Sequence, residues 1–471
     1  MIFRCVPFLL LLLNFSAYAT VDNALKQLPD GSRASLMVQS LTSGDVITNH
    51  NSEQMIPPAS TQKLVTALAA KLLLNDNYRY ATTIESYGDN LTVNFSGDPT
   101  LTELDLSALL RQLKHSGLSN IKGNIWLNDS LFTGYERGVG WPWDIMGIGY
   151  SAPSSAITLN QNAVMASIYS DDNGTTRVHV PAHQPITVTT SATSVSKTEQ
   201  QTQFCDLELL ATPTNQYHLS GCLQHRNKPL PLKFAVQNTF LYSKQVIQRL
   251  LKEHNIKLKG DILRGRPVAP AQQNVSIVAT HHSEPLPVLI ETMLKESNNL
   301  YADNLTKTIG HSYYQQAGSF SNGTSAIKAI LMDRAGIDIE SAVLADGSGL
   351  SRNNKMSATQ LSHVLSYLYK HDSTLKLLGS LPTSGVDGTL KYRASMRKAP
   401  ISNAIRAKSG SLFGSMNMAG FVTTTNGETL LFVQLIADYH PIKRPDNAPP
   451  VQSPIERFER EFYLSMINEA M

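Results

Sequence analysis

Hydrophobic and polar positions alternate in different ways along this chain, and the change in period divides it into segments. Alternation with a period of two predicts strands, and apolar positions three and four apart predict helices. Strands are predicted at residues 35–48 (a pair), 80–87, 90–95, 123–128, 178–195, 229–236, 275–280, 417–424 and 429–436. Helices are predicted at residues 61–74, 104–116, 243–254 and 286–313, and from residue 455 onward. Terminal helices packed on an antiparallel sheet predict an α+β domain assembled from both ends of the chain.

Local turn and cap signals support these elements. Asn426-Gly427 stands between two predicted strands and is typical of a type I′ hairpin turn. Ser453-Pro454 provides an N-cap residue followed by proline at the first helical position. Pro57-Pro58 likewise precedes a segment rich in alanine, leucine and lysine, which marks a helix start. Ser60 is therefore expected at or within the first turn of that helix, with Lys63 one turn later.

The first nineteen residues have the features of a secretory signal. Arg4 precedes an apolar core at residues 6–15, and Ala17-Tyr18-Ala19 gives the small-x-small pattern of a cleavage site. An uncleaved membrane anchor is the alternative, but the apolar run is only about half of the roughly 20 residues that a spanning helix needs. We expect cleavage after Ala19 and an exported, soluble protein.

The rest of the composition is that of an ordinary globular protein. Hydrophobic residues make up 42% of the chain and charged residues 16%, and the formal net charge is only +3. A small, unclustered positive charge gives no support to a nucleic-acid partner. The length suggests two to four domains.

Two cysteines remain after removal of the signal, Cys205 and Cys222. An even pair in an exported protein predicts a disulfide, which would stabilise a loop of this size by about 3 kcal/mol. A metal pair or a catalytic thiol is the alternative. His218 and His225 form no recognised zinc spacing with them.

Candidate chemistry begins at Ser60-x-x-Lys63, because residues three apart lie on one face of a helix. A serine hydroxyl is a poor nucleophile until a base removes its proton. An ordinary lysine, with a pKa of about 10.4, is protonated at neutral pH. Burial, the positive end of the helix dipole and a second cation at Lys408 would favour the neutral amine. By itself the pattern is equally typical of a surface helix start.

Two further patterns complete the set. In Ser297-Asn298-Asn299, the Ser297 hydroxyl could relay a proton, and the Asn299 amide could hold Lys63 and the substrate backbone. Lys408-Ser409-Gly410-Ser411 precedes a strand-like region, and it offers a cation and a hydroxyl to a carboxylate. Its glycine would let substrate lie close to an edge strand, and the Ser411 N–H would serve an oxyanion. Alone, these patterns are typical of a helix cap and a turn.

The order and spacing of the three patterns change this interpretation. Ser297 follows Ser60 by 237 positions, so a domain that contributes both must be interrupted by a large insertion. Ser-x-x-Lys, Ser-x-Asn and Lys-Ser/Thr-Gly in this order are the set of penicillin-binding proteins and class A β-lactamases. The chain resembles one branch, the class C low-molecular-mass penicillin-binding proteins of the S13 peptidase family. The resembling segments are residues 58–63, 98–101, 140–143, 150–153, 345–352 and 407–412.

The resemblance implies a penicillin-binding/β-lactamase-like α+β domain, an antiparallel sheet flanked by helices, with two nested and mainly β inserted domains. It also implies roles for further residues. Arg352 is expected to help to bind the terminal carboxylate of the substrate. Asp144 lies near the position, about one residue displaced, of an aspartate that reads the free amino group of diaminopimelate in related enzymes, and Tyr150 is expected to line the same pocket. The implied organisation is a signal at 1–19, a catalytic domain at 21–83 and 276–471, a second domain at 84–162 and 225–275, and a third at 163–224 with the disulfide.

Besides the displaced Asp144, a second residue departs from the family pattern. Ser409 stands where the penicillin-binding consensus has threonine. The hydroxyl group is kept, so we expect little loss.

The function implied is that of a periplasmic D-Ala-D-Ala carboxypeptidase and endopeptidase. Ser60 would be acylated by the penultimate D-Ala of peptidoglycan stem peptides and cross-links, and β-lactam antibiotics would trap the acyl-enzyme. No cofactor or metal is expected. A peripheral contact with the inner membrane and a homodimer are left open. The alternatives are a β-lactamase or esterase, which efficient β-lactam turnover would reveal, and a non-catalytic cell-wall-binding protein, which would release no D-Ala.

Overall fold

The computed structural model describes residues 21–267, 275–442 and 451–468. Two compact units are formed from alternating parts of the chain. The first unit contains the described residues up to Asn75, Pro287–Asn298 and those from Thr324 onward. The second unit contains Asp76–Leu286 and Asn299–Gly323. The domain boundaries expected from the resemblance stay a prediction, and the expected signal at residues 1–19 lies outside the described residues.

The secondary structure is mixed throughout both units. The strands are β1 (Arg33–Ser40), β2 (Val46–His50), β3 (Ala81–Tyr87), β4 (Asn90–Asn94), β5 (Asn120–Ile121), β6 (Ile125–Asn128), β7 (Ala163–Ser170), β8 (Thr176–His179), β9 (Thr187–Thr190), β10 (Thr193–Val195), β11 (Leu207–Ala211), β12 (Gln216–Gln224), β13 (Leu230–Ala235), β14 (Lys257–Leu258), β15 (Ile262–Arg264), β16 (Ser276–His282), β17 (Ile405–Leu412), β18 (Ser415–Thr423) and β19 (Thr429–Ala437). The helices are α1 (Lys63–Leu73), α2 (Glu103–His115), α3 (Lys197–Thr202), α4 (Thr239–Glu253), α5 (Leu286–Lys295), α6 (Asn299–Tyr314), α7 (Phe320–Ala335), α8 (Ala358–Lys370), α9 (Asp372–Leu375) and α10 (Pro454–Ile467).

The first unit is built on an antiparallel sheet with the strand order β17-β18-β19-β1-β2. This order joins the two ends of the chain, since β1 pairs with β19 in a register that places Ala34 opposite Ile436. The hairpins predicted from sequence are present. Gly427 adopts φ +87° between β18 and β19, a conformation that glycine enters without steric cost.

Both faces of this sheet are buried. On one face, Leu36 and Phe432 pack in a core with Phe458 and Phe462 of α10. On the other, α8 packs against β19 and β1. Alternate residues of a strand point to opposite faces, so β19 is apolar at nearly every position. The sheet is therefore covered by helices on both sides.

The C-terminal helix begins where the sequence predicted. The Ser453 side chain accepts a hydrogen bond from Glu456 N, and Pro454 occupies the first turn. This satisfies one of the N–H groups that a helix start leaves without a partner.

The second unit contains several smaller sheets. A mixed sheet has the order β15-β6-β4-β3-β16, and its apolar residues pack with α2 and α4 around a separate core. Another sheet has the order β10-β12-β11, with β9 also pairing with β12. A disulfide joins Cys205, which precedes β11, to Cys222 on the central strand β12, with Cα atoms 5.5 Å apart. The predicted disulfide is confirmed.

Three local predictions differ from the structure. The turn at Asn426-Gly427 is not of type I′, because Gly427 has a positive φ of +87° and Asn426 does not have a positive φ. The helical segment expected at residues 286–313 is divided into α5 and α6, because Ser297 adopts φ +58° and a helix cannot continue through a left-handed residue. The Lys408-Ser409-Gly410 pattern lies within the edge strand β17 and not ahead of a strand.

No helix in the part of the chain that the structure describes is long and apolar enough to cross a membrane.

Candidate active site

Ser60 lies on a short 3-10 turn, Ala59–Gln62, that leads directly into α1. Ala59 has φ +48°, an unfavourable conformation for a residue with a side chain. The Thr61 hydroxyl donates to Pro58 O at 2.7 Å and fixes the entry of the turn. Backbone strain of this kind persists only where the surroundings hold it, and it is common at functional sites.

Lys63 is the first residue of α1 and is fully buried. Its Nζ lies 2.8 Å from Ser60 Oγ and donates to Ser348 O at 2.7 Å. The spacing of three residues thus brings amine and hydroxyl within hydrogen-bonding distance, as predicted from the helix periodicity. A neutral amine in this position can take the hydroxyl proton.

Lys408 forms a second lysine–serine pair in the same unit. Its Nζ donates to Ser297 Oγ at 2.9 Å and to Ser409 O at 2.8 Å. The side chain is fully buried, and burial holds the pKa of Lys408 well below its ordinary value, with the charges of Lys63 and Arg393 acting in the same direction. The nearby Arg393 is ion-paired with Glu459.

Strand β17 runs very close to the turn that carries Ser60. A Cβ atom at Gly410 would lie 2.9 Å from Pro58 O and 3.0 Å from Ser60 N. Only glycine allows this approach without a shift of the backbone. Ser411 follows on the same strand and is exposed.

Ser409 has a partner that sequence reasoning missed. The hydroxyl groups of Thr389 and Ser409 lie 2.7 Å apart. Thr389 belongs to a 3-10 turn at Gly388–Leu390, twenty positions away, and no motif marks it. The contact depends on tertiary packing alone.

The glycine-rich segment after Ala345 is folded around one buried carboxylate. Asp346 accepts hydrogen bonds from Gly349 N at 2.8 Å, Ser351 N at 2.7 Å and Asn354 Nδ2 at 2.9 Å. A Cβ at Gly349 would lie 1.9 Å from Ala59 O. This segment, which the resemblance places beside the active site, therefore packs directly on the serine turn.

The same segment is also tied to the serine helix by side chains. Gln62 Nε2 donates to Asp346 O, and Thr66 Oγ1 donates to Gly347 O at 2.7 Å. Together with the bond from Lys63 to Ser348 O, three consecutive carbonyl groups accept from one face of the turn and helix.

Arg352 lies at the end of this segment and is exposed. Its guanidinium carbon is 5.6 Å from the centre of the Phe413 ring, which is itself 5.2 Å from the ring of His440. Cation–π stacking of this kind limits the positions of the guanidinium. The group that was expected to bind a carboxylate is thus partly oriented by a neighbouring ring.

The other predicted site residues belong to the second unit. Asn299 is the first residue of α6, and its side-chain amide donates to Tyr150 O at 2.9 Å. Tyr150 is half exposed, and Asp144 is exposed on the short turn Trp143–Ile145. The role expected for Asn299 towards Lys63 stays a prediction.

Comparison with known proteins identifies the family. The model of the D-Ala-D-Ala carboxypeptidase 3 (S13) family matches residues 17–462, nearly the whole chain. The chain belongs to the S13 family. The family inferred from the three motifs and the further resembling segments is therefore confirmed.

One relative matches this S13 protein along nearly its full length. It is 35% identical to the D-alanyl-D-alanine carboxypeptidase DacB of Haemophilus influenzae over 457 residues, which is 95% of this chain and 94% of that protein.

Solved structures agree with the sequence match. The crystal structure of penicillin-binding protein 4 from the same organism superimposes with a TM-score of 0.86 at 36% identity, and the match covers 95% of this chain and 99% of that one. Its complex with a β-lactam superimposes with a TM-score of 0.82 at 34% identity, with the same coverage. This S13 protein has the α+β penicillin-binding fold, as predicted.

Proposed function

We propose that this protein is a serine-type D-Ala-D-Ala carboxypeptidase and DD-endopeptidase that acts on peptidoglycan. The observation that carries the proposal is the arrangement in the first unit, where Lys63 Nζ lies 2.8 Å from Ser60 Oγ and Lys408 holds Ser297. Ser60 is the proposed nucleophile and Lys63 the proposed base. Membership in a carboxypeptidase family supports the reaction class.

The proposed acylation transfers one acyl group and one proton. Ser60 Oγ attacks the carbonyl carbon of the penultimate D-Ala while its proton passes to the neutral amine of Lys63. The amide C–N bond then breaks, and the proton reaches the departing amine through Ser297. Water subsequently hydrolyses the ester, which releases the shortened peptide and regenerates the Ser60 hydroxyl.

Substrate recognition is proposed to use both charge and close backbone approach. Ser409 and Arg352 would bind the carboxylate of the departing residue, because cations and hydroxyl groups form charge-assisted hydrogen bonds with it. Lys408 would act by holding Ser297. Gly410 would admit the peptide along β17, and the Ser411 N–H would stabilise the oxyanion.

Residues of the second unit are proposed to read the rest of the stem peptide. Asn299 would hold the peptide backbone, and Asp144 with Tyr150 would recognise the amino group of the third residue. The exposure of Asp144 and the half exposure of Tyr150 are compatible with contact to a ligand.

Penicillin is proposed to inhibit the protein by acylating Ser60. A β-lactam presents a strained amide to the same nucleophile, and an acyl-enzyme that deacylates slowly accumulates. The complex of the Haemophilus influenzae penicillin-binding protein 4 with a β-lactam supports this expectation.

Labelling with a fluorescent penicillin tests the nucleophile. Wild type and the control Ser373→Ala, an exposed serine on α9, should be labelled covalently, whereas Ser60→Ala should not. If Ser60→Ala is still labelled, Ser60 is not the nucleophile. Rapid turnover of the β-lactam would favour a β-lactamase, and labelling without D-Ala release would favour a non-catalytic binder.

Product analysis separates the two proposed peptidase activities. Both break the bond at the same D-Ala carbonyl, and only the departing amine differs. Mass spectrometry of cross-linked and uncross-linked muropeptides should detect cleavage of both. If cross-linked muropeptides remain intact while free D-Ala is released, the endopeptidase part of the proposal fails.

Export to the periplasm is part of the proposal, and it rests on the signal pattern at residues 1–19. N-terminal sequencing of the protein from a periplasmic extract should find residue 20 first. Sedimentation and vesicle flotation of the same material would decide on a homodimer and on peripheral contact with the inner membrane.

A further inference from the structure

Lys307 is a buried lysine of the second unit that the proposed reaction does not use. It lies on α6 and is only 1% exposed. Its Nζ donates to Tyr135 O at 2.8 Å and to Ser154 O at 2.7 Å. The same group lies 4.6 Å from the ring centre of Phe320, so it is held between backbone carbonyls and an aromatic face.

The two carbonyl groups belong to the two ends of one loop, residues 135–154. A backbone hydrogen bond from Ser154 N to Glu136 O, 2.7 Å long, closes the base of this loop. Lys307 bridges the same base from the helix side. The loop carries Asp144 and Tyr150, the residues proposed to read the third residue of the stem peptide.

Helix α6 holds this loop at further points. Asn299, eight residues before Lys307, donates to Tyr150 O at 2.9 Å. Asn304 accepts from Ser154 Oγ at 2.7 Å and donates to Gly97 O at 2.8 Å. Asn304 and Lys307 are three residues apart and share a face of α6, so both bind the base of the loop from the same side of the helix, and Asn299 adds a bond at the start of the helix.

We propose that Lys307 is a positioning residue: by fastening both ends of loop 135–154 to α6, it fixes the part of the protein that discriminates the third residue of the stem peptide. The inference rests on the proposed function and deepens it. Lys307 acts through the loop and does not touch the substrate.

The charge of the amine contributes to this fastening. Burial lowers the pKa of Lys307 to about 8, against the opposing influence of Glu136 on the loop and Asp303 on α6. Glu136 is itself 3.5 Å from Arg264. A protonated amine forms stronger hydrogen bonds than a neutral one, although both can donate to two carbonyl groups. The loop should therefore be held less firmly above pH 8.

A pair of peptides tests the proposal. The two pentapeptides differ only in the third residue. This residue is diaminopimelate in one peptide, and in the other it is an analogue without the terminal amino group. Lys307→Met keeps the side-chain volume and removes the donor. We expect it to reduce the preference for the diaminopimelate peptide, measured as the ratio of kcat/KM values, by about tenfold, since hydrogen bonds to a charged group are worth at least that factor.

Lys114→Met is the matched control, because Lys114 also donates to a backbone carbonyl, that of His254, but at the exposed surface of the same unit. It should leave the ratio unchanged. Equal losses for both peptides in Lys307→Met, or an unchanged ratio, would overturn the positioning role. Penicillin should acylate Lys307→Met at a rate within about twofold of the wild-type rate. If penicillin does not acylate wild type at all, the proposed function fails, and not only the positioning role.

A second measurement uses wild type together with a variant that keeps the charge, Lys307→Arg. In wild type the ratio should decrease between pH 7 and pH 9 with a midpoint near 8, and hydrogen exchange of residues 135–154 should accelerate over the same range. Titration of the substrate amine affects wild type and Lys307→Arg equally, so it does not contribute to the difference between their pH profiles. The difference reports on Lys307, because the guanidinium of the variant stays charged. Identical pH profiles for wild type and Lys307→Arg would contradict the proposal.

Discussion

Lys408 Nζ donates a hydrogen bond to Ser297 Oγ at 2.9 Å, although the two residues are 111 positions apart. The bond joins the edge strand β17 to the turn between α5 and α6. It places the second and third motifs in contact within one unit, where Lys63 and Ser60 form the first motif.

Replacing Lys408 by methionine should slow the acylation of the protein by penicillin. Loss of the donor to Ser297 should slow penicillin acylation by about a hundredfold, the effect of removing one preorganised donor from an active site. Lys398→Met, at an exposed position of the same unit, should acylate normally. Stopped-flow acylation measures both, and a normal rate in Lys408→Met would contradict the proposed role of Lys408.

The lowered pKa of Lys408 predicts a pH dependence of stability. Between its folded pKa and the ordinary value near 10.4, the unfolded chain binds a proton that the folded protein does not. The free energy of unfolding contributed by Lys408 therefore rises with pH through this window. Urea unfolding from pH 6 to pH 9 should show a smaller rise in Lys408→Met than in wild type. Equal slopes would show that Lys408 is not the group responsible.

Gly349→Ala should damage the serine turn specifically. The new Cβ would lie 1.9 Å from Ala59 O, so the turn or the segment must move, and acylation should fall by at least about tenfold. Gly336→Ala is the control, since Gly336 also has a positive φ, +65°, but nothing lies within 4 Å of its Cβ position. It should cost only about 1 kcal/mol of stability and leave acylation unchanged. If both substitutions slow acylation equally, the cause is backbone strain at a positive φ and not the contact of the new Cβ with Ala59 O.

Thr389→Val tests the missed partner of Ser409. The hydroxyl-to-methyl change removes the 2.7 Å contact and keeps the shape of the side chain. We expect KM for a peptide with a free terminal carboxylate to rise about two- to tenfold with kcat nearly unchanged, which corresponds to one neutral hydrogen bond. Thr423→Val, at an exposed position of β18, should not change KM. A fall in kcat alone would instead indicate that Thr389 acts in the chemical step.

The disulfide should stabilise the second unit without affecting acylation. The disulfide joins residues 17 positions apart and reduces the conformational entropy of the unfolded chain. In the chain-entropy model this stabilises the folded protein by about 3 kcal/mol. Cys205→Ser/Cys222→Ser should therefore unfold at lower temperature, while labelling of Ser60 in the first unit stays normal. Adding reductant should lower the Tm of wild type but not of the double variant. An unchanged Tm in the double variant would show that the bond does not stabilise the protein.

The sequence by itself determined the local elements and the chemistry of the motifs. Ser60 and Lys63 are near in the chain, so helix periodicity alone predicts that amine and hydroxyl meet, and the structure places them 2.8 Å apart. The hairpin at Asn426-Gly427 and the cap at Ser453 are equally local and were predicted correctly. The order of three short motifs indicated the penicillin-binding proteins and β-lactamases, and the further resembling segments identified the S13 family.

The tertiary structure alone decided which remote groups surround those motifs. The Ser348 carbonyl that binds Lys63 is 285 positions away, and Thr389 and Lys307 carry no sequence signal. The left-handed Ser297, which divides a predicted helical segment, is also held by its surroundings. The contacts of Lys63 and Lys307 use backbone carbonyls that every residue possesses, so only the packing of distant segments selects which of them are used.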